Sequence, residues 1–131
     1  MPEGATVLKV LYVDDEPDIR EVALMALALD PGLETESCEN GREGLAKAAA
    51  WRPDIILLDV MMPELDGPAT LEALRADPAT AAIPVVFITA RVQAREIDAF
   101  LALGAAGVIA KPFDPLTLAG EVRAIAGRAA G

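Results

Sequence analysis

The alternation of short apolar runs with longer segments of helical periodicity is the feature that most constrains how this chain can fold. The first run, VLKVLYV at 7–13, precedes three acidic residues and then apolar residues at helical spacing. Four further strand-like segments follow, and each precedes a helix-like segment: LETESC at 33–38, DIILLDV at 54–60, PVVFIT at 84–89 and VIA at 108–110. The first of these alternates apolar and polar residues, as an edge strand would, and the others are mainly apolar. Five β-α units with short connections predict a doubly wound α/β domain, a five-stranded parallel sheet with helices on both faces.

Prolines and glycines mark the predicted helix boundaries. The first helix is predicted from Asp15–Pro17 to Pro31-Gly32, and the later helices at 41–51, 69–76, about 92–103 and 115–128. In the first helix the apolar stripe predicted to face the core consists of Ile19, Val22, Ala23, Ala26 and Leu29. Three further apolar residues of that helix, Leu24, Met25 and Leu27, fall outside the stripe. This helix is therefore expected to expose apolar surface.

Length and composition predict a single domain, 1–131, with its core at about 7–128 and no output domain. The formal net charge is −10, which disfavours direct nucleic acid binding and anionic membranes. A signal peptide and an apolar run of about 18 residues are both absent, so we expect a cytoplasmic protein. Cys38 is the only cysteine and is predicted to lie in the core, and the absence of histidine excludes imidazole catalysis and imidazole metal ligands.

Polar side chains follow four of the predicted strands at the point where each strand ends. Asp14 and Asp15 follow the first strand, Asp59 ends the third, Thr89 ends the fourth and Lys111 follows the fifth. The carboxyl ends of parallel strands share one edge of the sheet, where doubly wound proteins bind ligands. Singly, each residue has an ordinary alternative, such as a helix cap or a solvated lysine. Together they predict one site.

Three carboxylates crowded at one edge repel one another unless a cation lies between them. Mg²⁺ suits such oxygen ligands. Lys111 and Thr89 could then contact the oxygens of a phosphoryl group, and Asp59 could accept that group as an acyl phosphate. The pattern therefore favours phosphoryl transfer to Asp59, and it explains why an aspartate ends an apolar strand.

At these positions the sequence resembles the receiver domain of two-component response regulators. The motifs that carry the resemblance are VLYVDDEP, LLDVMMPELDG, FITA and GAAGVIAKPF, in order and at the family's spacing. The resemblance extends from about Val7 to Ala126. It implies a flavodoxin-like (CheY-like) fold with strand order 2-1-3-4-5.

The resemblance also implies roles for individual residues. Asp59 would be the phosphoacceptor, and Asp15 would bind Mg²⁺ directly. Asp14 would bind the ion through water, and the Met61 carbonyl would be a further ligand. Lys111 would bind the phosphate, and the family usually has a cis peptide before the proline that follows this lysine.

Two further features of the family concern switching and phosphate lifetime. Thr89 would be the switch hydroxyl, but Val108 stands where the family often has an inward-turning aromatic residue. In the family this aromatic residue turns inward as the threonine moves towards the phosphate. With valine at this position, we do not expect that coupled movement. Met61 and Arg91 would flank the phosphoacceptor. Neither side chain is suited to activate a hydrolytic water, and both are bulky enough to obstruct one, so we expect a long-lived acyl phosphate.

The function implied is a phosphorylation-dependent signalling switch, self-catalysed and not a turnover enzyme. Without histidine, the chain needs a sensor histidine kinase, a histidine phosphotransfer protein or a small acyl phosphate as donor. Phosphorylation would change the surface around helix 4, strand 5 and helix 5 for an unknown effector, or for a homodimer. Two alternatives are a pseudo-receiver that acts as a phosphorylation-independent interaction module, and a receiver fragment of a larger regulator or hybrid kinase. An aspartate-nucleophile phosphatase and a flavodoxin-like cofactor binder fit the adjacent Asp14 and Asp15 less well.

Overall fold

A computed structural model describes residues 7–130, so the ends of the predicted domain, 1–6 and 131, lie outside the described residues. The strands are β1 (Leu8–Val13), β2 (Leu33–Cys38), β3 (Ile55–Asp59), β4 (Val85–Thr89) and β5 (Gly107–Ala110). The helices are α1 (Pro17–Leu27), α2 (Gly41–Trp51), α3 (Gly67–Ala76), α4 (Ala94–Ala102) and α5 (Leu118–Ala130). Within the described part of the chain, none of these helices has the length and apolar character needed to cross a bilayer.

The strands form one parallel sheet in the order β2-β1-β3-β4-β5, which confirms the predicted fold class and strand order. The register aligns the strand ends that matter for the site. Val13 lies opposite Leu58, and Thr89 lies opposite Ala110. The residues that directly follow β1 and β5 therefore lie on the same edge as the last residues of β3 and β4.

Alternate residues of each strand pack into two separate cores, one on each face of the sheet. Val10 and Tyr12 belong to the core beneath α1 and α5, whereas Leu11 and Val13 belong to the core beneath α2, α3 and α4. All five residues of β3 are buried, as expected for a central parallel strand. Cys38 is buried in the second core, which confirms its predicted position.

Two of the predicted helix boundaries are wrong by about three residues, and the others agree with the structure to within about two residues. Helix α1 ends at Leu27, so Leu29 lies beyond the helix and is 63% exposed, while Leu27 is fully buried. Ala23, Ala26 and Leu27, at spacing i, i+3 and i+4, form the buried face. Helix α5 begins at Leu118 because the preceding segment is a separate turn, in which the backbone N–H of Thr117 donates to the carbonyl of Asp114.

Candidate functional site

Three carboxylates converge at the carboxyl edge of the central strands. Asp14 directly follows β1, and its backbone N–H donates to the carbonyl of Cys38 at 3.1 Å. Asp59 is the last residue of β3. Oxygen atoms of Asp14, Asp15 and Asp59 all lie within 4.8 Å of one another. Asp14 is fully buried and Asp59 is 4% exposed, so these charges lie close together with little solvent to screen them.

Lys111 brings a positive charge next to the clustered carboxylates. Its backbone N–H donates to the carbonyl of Thr89 at 2.8 Å, which fixes the residue beside the end of β4. The Lys111 ammonium lies 2.8 Å from Glu16 Oε1, 3.0 Å from Asp14 Oδ2 and 3.6 Å from Asp59 Oδ1. The Lys111-Pro112 peptide is cis, as the family resemblance implies.

Both oxygens of the Asp14 carboxylate accept hydrogen bonds. The Tyr12 hydroxyl donates to Oδ2 at 2.9 Å, and Lys111 donates to the same oxygen. The backbone N–H of Glu16 donates to Oδ1 at 3.0 Å. Burial, followed by the neighbouring Asp14 charge, raises the pKa of Tyr12 above its ordinary value, so the phenol remains a donor. These contacts fix the orientation of Asp14.

The charges in the site shift the pKa values of its groups. Burial raises the pKa of Asp59 to about 7, and repulsion from Asp14 adds to this effect while Lys111 opposes it. For Lys111, burial alone would lower the pKa, but its hydrogen bonds to Glu16 and Asp14 outweigh burial and raise it. Negative charge is therefore in excess around Asp59, and a cation would favour its ionised form.

A cavity of about 200 Å³ lies above Asp59. Its lining includes most of the residues singled out from the sequence, together with two of their neighbours: Glu16, Asp59, Met61, Thr89, Ala90, Arg91 and Lys111. Thr89 is 4% exposed, and its hydroxyl oxygen accepts a hydrogen bond from the Arg91 backbone N–H at 3.0 Å. The hydroxyl hydrogen of Thr89 remains available to a ligand.

Val108 does not belong to the residues lining this cavity. It lies in β5 opposite Phe87 and is half-buried. Helix α4, which runs beside β5, has no fully buried residue, although the Phe100 ring lies 5.1 Å from the Phe87 ring. Of the two residues predicted to bear on switching, Thr89 is buried and lines the cavity, whereas Val108 is half-buried and does not line it.

Three residues that the sequence did not single out belong to the site. Glu16 pairs with Lys111, Tyr12 orients Asp14, and Gly67 packs on the backbone of Asp59. A Cβ built at Gly67 would lie 2.8 Å from the Asp59 carbonyl oxygen. Two of these had a local signal in the sequence. Tyr12 is a polar aromatic residue inside an apolar run, and Gly67 is a glycine where a helix begins.

The geometry defines a doubly wound α/β protein with a cluster of three carboxylates that could hold a cation, next to a cavity of about 200 Å³. The family model of the response regulator receiver domain matches residues 10–123. The chain belongs to this family, whose members are signalling switches and not turnover enzymes.

Individual relatives agree with this assignment. The chain is 37% identical to the transcriptional regulatory protein CseB of Streptomyces coelicolor over 116 residues, 88% of this chain and 48% of CseB. It thus spans about half the length of that curated relative. Chemotaxis response regulator CheY4 of Vibrio cholerae has a similar structure (TM-score 0.83, 35% identity, 92% of this chain and 99% of CheY4). So does the receiver domain of a signal transduction histidine kinase from Syntrophus aciditrophicus (TM-score 0.76, 34% identity, 92% of this chain and 90% of that domain).

Proposed function

We propose that this protein accepts a phosphoryl group on Asp59 in a magnesium-dependent reaction and thereby switches its surface between two signalling states. The observation that carries the proposal is the environment of Asp59. Its carboxylate is buried at the end of β3, 3.6 Å from the Lys111 ammonium, in a cluster with Asp14 and Asp15. A buried carboxylate beside a cavity is placed to act as a nucleophile.

The donor set fits a hard divalent cation. The three clustered carboxylates offer oxygen ligands, and Mg²⁺ prefers such ligands while keeping part of its water shell. Asp15, Asp59 and the Met61 carbonyl would hold the ion directly. Asp14, whose oxygens accept hydrogen bonds from Tyr12, Lys111 and Glu16, would hold it through water. When bound, the ion would neutralise charge on the carboxylates and on the phosphoryl oxygens.

The chain's own residues supply the nucleophile and two contacts to the phosphoryl group. An Asp59 oxygen forms a bond to phosphorus while the P–N bond of a donor phosphohistidine breaks, and the leaving imidazole takes up a proton. With a small donor such as acetyl phosphate, the P–O bond to the acyl group breaks and acetate leaves. Lys111 pairs with one phosphoryl oxygen, and the Thr89 hydroxyl donates to another. Positioning and charge neutralisation provide most of the catalysis in phosphoryl transfer.

The signal would leave the site through the segment after Thr89. Since the Arg91 N–H donates to the Thr89 hydroxyl oxygen, movement of that hydroxyl towards a phosphoryl group pulls on the segment leading to α4. Helix α4 has no fully buried residue, so a shift of this helix would disrupt little buried packing and would require little free energy. The surface formed by α4, β5 and α5 would then change without an aromatic residue at Val108.

The proposed partners are a cytoplasmic sensor histidine kinase or histidine phosphotransfer protein as donor, and an effector protein that reads the changed surface. The match to the response regulator receiver domain supports a donor of this class. The same site would serve whether the chain acts alone or within a longer regulator or hybrid kinase. A phosphorylation-dependent homodimer through the same surface is compatible with this proposal.

Intact-mass spectrometry after incubation with Mg²⁺ and acetyl phosphate tests the proposal. We expect one phosphoryl adduct on the wild-type protein, and none on Asp59→Asn or after removal of the metal with a chelator. A folded protein that forms no adduct with acetyl phosphate or another small phosphodonor would contradict the proposal. That result would favour a pseudo-receiver that acts only through protein interactions.

A further inference from the structure

Glu16 holds an unusual position at the start of α1. It is the N-cap residue of the helix, yet its side chain makes no capping hydrogen bond. Glutamate is a poor N-cap compared with serine, threonine, asparagine or aspartate. The Glu16 carboxylate instead reaches Lys111, 95 residues away in the sequence, at 2.8 Å. The side chain therefore has a partner in the site and not in its own helix.

This contact bears on the position of the lysine. The Lys111 ammonium lies within hydrogen-bonding distance of Glu16 and Asp14, at 2.8 and 3.0 Å, but 3.6 Å from Asp59. On the basis of the proposed function, we infer that Glu16 is a positioning residue that keeps the Lys111 ammonium beyond hydrogen-bonding distance of Asp59 until a phosphoryl group enters. The lysine then exchanges the Glu16 carboxylate for a phosphoryl oxygen.

The two carboxylates that hold Lys111 differ in their freedom to release it. Asp14 is fully buried and is fixed by the Tyr12 hydroxyl and by a backbone N–H. The Glu16 side chain is 58% exposed and can turn into solvent. Because the Glu16 carboxylate is exposed, water can replace the lysine as its partner, so the exchange costs less than separating two buried charges. Glu16 also lines the cavity above Asp59, where its charge repels an incoming phosphoryl group.

Glu16→Gln tests the inference, with Asp18→Asn as the matched control. Both changes remove one negative charge from the start of α1, but the Asp18 side chain is exposed and does not line the cavity. The rate of phosphorylation by acetyl phosphate with Mg²⁺ is measured by intact mass, and the rate of phosphate loss is measured after removal of the donor. Circular dichroism establishes that each variant is folded, and Glu16→Ala serves as a second variant.

We expect Glu16→Gln and Glu16→Ala to speed phosphorylation about two- to fivefold, the range that corresponds to loss of an ion pair with one solvent-exposed partner. Loss of phosphate should remain unchanged, because Glu16 no longer holds the lysine once the phosphoryl group is present. Asp18→Asn should leave both rates unchanged. Faster phosphorylation with unchanged phosphate loss distinguishes positioning of Lys111 from a general effect on structure, which would change both rates.

Three results would overturn the inference while leaving the proposed function intact. These are an unchanged or slower phosphorylation of both Glu16 variants, an equal acceleration by Asp18→Asn, and parallel changes in phosphorylation and phosphate loss. A wild-type protein that forms no adduct would instead contradict the proposed function, and the role of Glu16 with it.

Discussion

Gly67, the first residue of α3, packs directly against the backbone of Asp59. A Cβ built on Gly67 would lie 2.8 Å from the Asp59 carbonyl oxygen and 2.8 Å from the Cα of Val60. The Gly67 N–H also donates to the Val60 carbonyl at 2.9 Å. Both close neighbours are backbone atoms, which cannot turn aside as a flexible side chain can. The position of α3 and the position of the phosphoacceptor therefore depend on each other.

Gly67→Ala should destabilise the fold and slow phosphorylation, because the added methyl group displaces the backbone at Asp59. We expect a loss of about 1–3 kcal/mol in the free energy of unfolding, the usual cost of overpacking. Chemical denaturation followed by circular dichroism measures this loss. Gly120→Ala is the control, since a Cβ at Gly120 meets nothing within 4 Å and should stabilise α5 by roughly 0.5–1 kcal/mol. Equal effects of the two changes would contradict the close packing at Asp59.

The pKa of Asp59 predicts a pH-dependent stability in the metal-free protein. Its value is about 7 in the folded state against an ordinary 3.8, so the folded state binds the proton more tightly than the unfolded chain. The stability that this proton provides is fully present at pH values below the ordinary pKa of 3.8 and is lost as pH rises through about 7. Asparagine does not titrate, so the Asp59→Asn variant does not lose this stability as pH rises. The variant should therefore gain stability over the wild type as pH increases.

Urea denaturation with a chelator present, at pH 5 and at pH 8, measures this difference. We expect the advantage of Asp59→Asn to grow between the two values, to on the order of 2–4 kcal/mol at pH 8. Asp18→Asn, which removes an exposed carboxylate from α1, controls for the loss of one charge. A constant difference across this range would mean that Asp59 is not held in an environment that favours its neutral form.

Tyr12→Phe should weaken both the fold and magnesium binding. The change removes the hydroxyl that donates to the buried Asp14 carboxylate. We expect a cost of about 1.5–3 kcal/mol, typical of a hydrogen bond to a charged group. Magnesium affinity should fall at least about tenfold, as when other residues that orient metal ligands are changed. Titration calorimetry measures the affinity.

Thr80→Val is the control for Tyr12→Phe. The Thr80 hydroxyl is buried and donates to the Leu74 carbonyl at 2.7 Å, far from the carboxylate cluster. This variant should lose stability and keep its affinity for magnesium. If both variants retain the wild-type affinity, the Tyr12 hydroxyl does not contribute to the metal site.

Met61→Asn should shorten the lifetime of the phosphorylated state. Met61 lines the cavity above Asp59 and is 68% exposed, so its side chain lies where a hydrolytic water would approach. Asparagine is smaller and can hydrogen-bond that water. We expect phosphate loss to become several-fold faster, as measured by intact mass after removal of the donor. Met25→Asn, at a comparably exposed position on α1, should leave the rate unchanged.

The sequence predicted those parts of the fold that depend on local patterns. The continuous apolar run before Asp59 indicated a central buried strand, and the structure buries every residue of β3. The polar residues that end the strands indicated one site because parallel strands share a carboxyl edge. That argument brought Asp14, Asp15, Asp59, Thr89 and Lys111 to the same edge, as found.

Other features could not be predicted because they depend on contacts between distant segments or on small differences between competing local structures. Nothing near Glu16 indicates a lysine 95 residues away, and an acidic residue at a helix start has an ordinary explanation. The predicted start of α5 at residue 115 is three residues before the observed start at Leu118, because Pro115 is compatible with both a first helical turn and a separate turn. Leu29 has the right spacing for a core position, but the helix ends two residues before it.

The pairing of Lys111 with Asp14, 97 residues apart, has a consequence for a protein that is made from its N-terminus onward. While the ribosome is still translating the segment that becomes β5, the nascent chain already carries Asp59 and the acidic residues after β1, but not the lysine that completes the site. Such an intermediate has the negative charges of the site without the ammonium group that pairs with them. The carboxylates therefore gain this counter-charge only once the fifth strand has been synthesised and added to the sheet.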